Sequence, residues 1–176
     1  MTPRHPVRAA LVVVGLVALT SCSGGEDDPT LAAPTSAASS SSATAAEPLP
    51  SAGQWIAETV EAQLAGVPLR LEVADDERER AIGLMGRTSV PTGTGMVFRY
   101  AEPTRGSYYM FQVPVPLTAV FVRAGTVVFV AQMPPCGETD PHACPVYGPD
   151  EPFDTVVETA PETLPGVRPG DRLELR

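Results

Sequence analysis

The chain reads as an α+β fold in which strands predominate: a small single-domain antiparallel sheet or partly open barrel with one or two short helices. Three observations lead there. Short β-branched and aromatic stretches recur with turn residues between them, apolar side chains alternate in Pro68-Leu69-Arg70-Leu71-Glu72-Val73, and one segment opens with a clear helix-start signal.

That alternation puts Leu69, Leu71 and Val73 on one face of a half-buried strand. Gly66 supplies the turn before it, so Thr59 to Leu64 reads as the hairpin partner, while helical spacing of Ile56, Val60 and Leu64 competes there. Asp76 followed by Glu79 forms a capping-box pattern and starts a short helix through about Met85. Gly95 to Arg99, Tyr108 to Phe111 and Ala119 to Val122 follow as strands, and Ala124-Gly125 turns the chain into Thr126 to Ala131. Phe153 to Thr159 is a further strand, and Pro161 to Leu164 is a helical turn with proline at its start. Pro169-Gly170 makes a tight turn into a closing strand, Arg172 to Leu175.

Ahead of this domain the composition changes twice. Arg4 and Arg8 precede the apolar run Ala9 to Leu19, which is long enough for export but short of the roughly 20 residues of a membrane span. Leu19-Thr20-Ser21-Cys22 then matches a bacterial lipobox, so residues 1–21 are expected to leave as a lipoprotein signal peptide and Cys22 to carry the lipid. Two or three acyl chains, each buried methylene contributing about 0.8 kcal/mol, hold a protein firmly to a bilayer. Residues 22–51, rich in Ser, Ala, Thr and Pro, lack the large apolar side chains that would offset ordering entropy, and are expected to be a disordered tether. A coil of that length spans on the order of 30 Å. The partners that follow are the lipid bilayer through acylated Cys22 and an envelope protein or small ligand; the expected location is extracytoplasmic.

Residues 52–176 form the β-rich domain, and absences narrow its chemistry. With no lysine in the chain, a Schiff base and a phosphate-loop lysine are both excluded. His5 departs with the signal, which leaves His142 to serve any Ser, His, Asp triad and rules out a multi-histidine metal site. A formal charge of -9 opposes nucleic acid binding. No cofactor motif is present, and no cofactor is expected.

Several separated blocks carry a family resemblance. Arg80-Ala81-Ile82-Gly83-Leu84-Met85-Gly86-Arg87, Gly95-Met96-Val97-Phe98, Tyr108-Tyr109-Met110, Val115-Pro116-Leu117 and Phe121 resemble the signature blocks of the family known as domain of unknown function 192. Met133-Pro134-Pro135-Cys136, Cys144-Pro145 with Tyr147, and Gly166 through Asp171 are similar to its later blocks. The resemblance spans about Glu61 to Arg176 and implies a small β-rich domain with one or two short helices, without an established activity. It also marks departures: Phe111, Gln112 and Val113 stand where the family usually has lysine, asparagine and threonine, and Thr118 where it has aspartate.

The candidate sites are few. With Cys22 lipidated, Cys136 and Cys144 remain as an even pair in an oxidising compartment, which favours a disulfide. The alternative is a soft metal site of Cys136, His142 and Cys144 with Met133, suited to Cu(I) or Zn(II), or a small hydrolase using His142. A ligand surface is expected around Arg80, Tyr108, Tyr109, Met110 and Phe111 on a concave face. Arg80 and Arg87, seven apart on the expected helix, would share a face, with Arg80 either holding an anion or, the favoured role, in a salt bridge to a neighbouring strand. Met85, Met96 and Met110 read as core filler, and Asp150, Glu151 and Asp154 as a solvated acidic loop. The biochemical activity that follows is a ligand- or partner-binding accessory module rather than a recognisable enzyme.

Overall fold

The computed structural model describes residues 53–176; Cys22, the expected signal peptide and the expected tether lie outside the described residues. The chain opens with a hairpin of β1 (Thr59–Leu64) and β2 (Val67–Ala74), joined through Ala65 and Gly66, both at positive φ (52° and 83°). Two successive left-handed residues match the twist of a two-residue hairpin, and the hairpin prevails over the helical spacing. Ala62 and Leu64, two apart, are both buried, as one face of a strand requires.

Helix α1 (Glu77–Ile82) follows, with the Asp76 carboxylate accepting from the Glu79 N–H at 2.7 Å as the capping pattern predicts. It ends one turn before the expected Met85. Gly83 closes it at φ 51°, packed so tightly that a Cβ would sit 3.3 Å from the Phe98 ring. Arg87 therefore lies beyond the helix and shares no helical face with Arg80.

Because α1 crosses over between them, β2 and β3 (Thr94–Thr104) run parallel, whereas the other pairings in the main sheet are antiparallel. The expected antiparallel sheet thus holds with one parallel pair. β5 (Leu117–Arg123) and β6 (Thr126–Met133) form the Ala124-Gly125 hairpin, β8 (Phe153–Thr159) inserts between β5 and β3, and β9 (Leu173–Leu175) pairs with β1. The strand order is β6-β5-β8-β3-β2-β1-β9, in a curled sheet that makes a half-barrel. Gly95 lies where β3 meets β8, and any Cβ there would run into the Glu158 carbonyl oxygen.

A second, two-stranded sheet pairs β4 (Tyr108–Tyr109) with β7 (Val146–Tyr147). β4 is shorter than the expected Tyr108 to Phe111, because Phe111 only bridges Cys136. Turns of 3-10 helix occupy Pro141–Ala143 and Pro161–Thr163.

Both faces of the main sheet are covered. One carries an aromatic and methionine cluster that includes Met85, Met96, Phe98, Met110, Phe121 and Phe153, so the three methionines expected as filler are core residues. The other carries an aliphatic cluster around Leu69, Leu71, Val73, Val97, Val120 and Val157, closed by Leu164 and Leu173. Neighbours on β8 divide between them, Val156 facing the first and Val157 the second.

Candidate functional site

The chain's chemistry gathers on the aromatic side of the sheet, where α1, β3, β4 and β8 meet around a pocket of about 170 Å³. Its apolar wall comes from Ile82, Leu84 and Met85 at the end of α1 and just beyond, with Phe98 and Val113. The position of Val113 follows from Gln112, whose backbone at φ 57° turns the chain and whose carbonyl accepts from the Gly86 N–H at 2.7 Å. Valine at a position where the resemblance implies threonine leaves that wall without a hydroxyl.

The polar wall is aromatic. Tyr100 and Tyr108 share a hydrogen bond of 2.9 Å between their hydroxyls. Tyr108 also meets Phe98 and Phe121 edge-on, with centroids 5.1 and 5.5 Å away, and Phe121 meets Phe153 at 5.0 Å. Burial pushes the Tyr108 hydroxyl far above its ordinary pKa, so it stays protonated.

Glu158 lines the same pocket from β8. It is 5% exposed, and its neighbours across the ladder, Met96 on β3 and Ala119 on β5, are apolar. Burial raises its pKa to about 8, so at neutral pH it is mostly the neutral acid.

Arg80 stands at the pocket with one guanidinium nitrogen, Nη1, already engaged. Its guanidinium donates to the carbonyls of Asp75 and Arg99, the latter at 3.1 Å, and lies 5.0 Å over the Tyr100 ring. The expected tie from helix to strand exists, but its acceptors are carbonyls rather than a carboxylate.

Three of the five residues expected to form a ligand surface come together here: Arg80, Tyr108 and Tyr109. Met110 and Phe111 do not line the pocket. Met110 is 1% exposed within the core, and Phe111 packs against that core beside Cys136. Glu158 escaped the sequence reading because a glutamate in an alternating strand signals a solvated face. The available signal was its spacing of two from Val156, which places both on one face.

Cys136 and Cys144 form the expected disulfide, Cα atoms 5.8 Å apart. Both thiolates are consumed, which removes the soft metal site of Cys136, His142, Cys144 and Met133. Met133 is itself buried in the core, His142 is exposed, and no group of three or more His, Cys, Asp or Glu among the described residues could hold a metal ion. The disulfide has a positioning role instead. Cys136 bridges Phe111 while the strand two residues after Cys144 pairs with β4, so one crosslink joins the two segments that flank the Tyr108 to Phe111 stretch.

Arg87 makes a second polar centre, apart from the pocket. Its guanidinium donates to both Glu72 carboxylate oxygens at 2.6 and 2.5 Å and to the Gln54 carbonyl at 2.6 Å, under the Trp55 ring at 4.1 Å. Glu72 also accepts from the Ile56 N–H at 3.0 Å. Together they clamp the segment that leads into the domain.

Residues 59–175 match the family DUF192, described as "Uncharacterized ACR". Two solved structures are similar. A candidate transcription regulator from Sinorhizobium meliloti 1021 is 28% identical, with 70% of this chain and 98% of that one covered and a TM-score of 0.59. A protein of unknown function from Novosphingobium aromaticivorans DSM 12444 is 26% identical, with 66% and 84% covered and a TM-score of 0.56. No curated protein matches.

Proposed function

Because this chain belongs to the DUF192 family, whose description assigns no activity, we propose from its own geometry that the domain is a small-ligand-binding module, held outside the cytoplasm by lipid on Cys22. The observation that carries the binding function is Glu158: a carboxyl on a residue only 5% exposed, lining a pocket walled mostly by apolar and aromatic side chains with Arg80 at its edge. Burial disfavours the charged form of such a group, and a bound molecule that pairs with it offsets that cost. A few convergent polar groups in a mostly apolar concavity are the usual make-up of a ligand site.

The anchor rests on the lipobox at Leu19 to Cys22 and on the composition of residues 22–51. An envelope protein could be the source of the ligand group, and the tether would give the domain its reach. The transcription-regulator description of the Sinorhizobium protein is not carried over, since a chain of charge -9 has no electrostatic case for DNA.

A thermal-shift screen of small fragments against the wild type and Val113→Phe tests the binding function. The larger side chain occupies the pocket, so fragments should stabilise the wild type and not the variant. Equal shifts in both would place binding elsewhere.

A further inference from the structure

We propose that the pocket takes a small amine: an ammonium group paired with the Glu158 carboxylate, carried on a short apolar stem that fills the space between Ile82, Leu84, Phe98 and Val113. The inference rests on the pocket being a binding site and names the chemistry of its occupant.

Charge decides the class. Arg80, the arginine that lines the pocket, already donates through Nη1 to two backbone carbonyls and lies over the Tyr100 ring, which leaves the Glu158 carboxyl as the acidic group open to a ligand. Glu158 is the carboxyl in that lining. It shares the pocket with Arg80 from α1, Tyr100 from β3, and Tyr108 and Tyr109 from β4, while its ladder neighbours Met96 and Ala119 are apolar. Tyr100 and Tyr108 satisfy each other.

Size decides the stem. A cavity of about 150 Å³ accommodates a benzene-sized molecule, and this pocket of about 170 Å³ admits a single ring or short alkyl chain with its amino group.

Binding moves one proton. The neutral carboxylic acid gives its proton to solvent, the amine arrives already protonated, and the bound state holds carboxylate against ammonium. With a pKa of about 8 in the free protein, nearly one proton should be released per amine bound at pH 7.

Isothermal titration of the full-length protein with benzylamine, benzyl alcohol and benzoate, each in two buffers of different ionisation enthalpy at pH 7, separates the possibilities. Benzylamine should bind at least tenfold more tightly than the other two, with release of nearly one proton, and Glu158→Gln should lose both the preference and the release. If benzyl alcohol or benzoate binds as well as benzylamine, without proton release and equally in Glu158→Gln, the amine assignment is overturned while the pocket remains a site. If none of the three binds, and the fragment shifts are the same in Val113→Phe as in the wild type, both the assignment and the binding function fall.

Discussion

Glu158 ties the protein's stability to pH in a direction opposite to most carboxylates. Its pKa rises from 4.5 unfolded to about 8 folded, so between those values the folded state holds a proton that the unfolded state has lost. Its contribution is fully present below about pH 4.5 and declines as pH rises through about 8, by on the order of a few kcal/mol. Glu158→Gln has no such group; urea melts across pH 5 to 9 should show the wild type losing stability relative to the variant, and parallel profiles would contradict the burial of this carboxyl. Arg87 and Glu72 behave differently because each already has its partner. Arg87→Ala strands the Glu72 carboxylate and should cost about 3–5 kcal/mol, whereas Arg87→Leu with Glu72→Leu should recover much of that loss in the same melts. At this scale the sequence was legible only where chemistry is local. The Asp76 cap and the cysteine pair could be read from neighbours in the chain, but the Glu158 setting depends on β3, β4 and β5 closing over it from distant positions. Arg87 was misplaced for a related reason: an α-helical spacing was carried past Gly83, where packing against Phe98 ends the helix.

Among the elements, β4 is the one the pocket depends on and the one with least pairing of its own. Two residues long, it is held by β7 and by the disulfide beside it. Closing so short a loop is worth about 2.5 kcal/mol in the chain-entropy account, so Cys136→Ser with Cys144→Ser should destabilise by roughly that amount. Amine affinity should fall along with it, because Tyr108 and Tyr109 lose their support; full affinity in the double variant would separate the crosslink from the site. β3 and β8 meet more tightly. Gly95→Ala drives a Cβ into the Glu158 carbonyl, and the expected outcome is loss of the cooperative thermal transition rather than a modest shift. The longer strands were legible from β-branched runs and turn residues, and Phe153 to Thr159 agrees to the residue. β7 was not, because Val146-Tyr147 lies among prolines and pairs only through a tertiary partner. The parallel alignment of β2 and β3 was likewise hidden, since alternation reports which face a residue occupies and not which strand lies alongside.

Across the whole molecule, a curled sheet with two covered faces separates support from function. The aliphatic side is a closed core of Val and Leu, while the aromatic side opens into the pocket beneath α1 and β4. The proposed anchor would present that pocket outside the membrane. Cys22→Ala should move the protein from the membrane to the soluble fraction of an expressing bacterium without changing benzylamine affinity, as read by fractionation and titration. Ligand binding turns on the Glu158 carboxyl, and that group can be observed directly. A ¹³C NMR titration of the Glu158 side-chain carboxyl should give a midpoint near pH 8 in the free protein, displaced downward when benzylamine saturates the pocket. A midpoint at the ordinary glutamate value of about 4.5, unmoved by benzylamine, would contradict it.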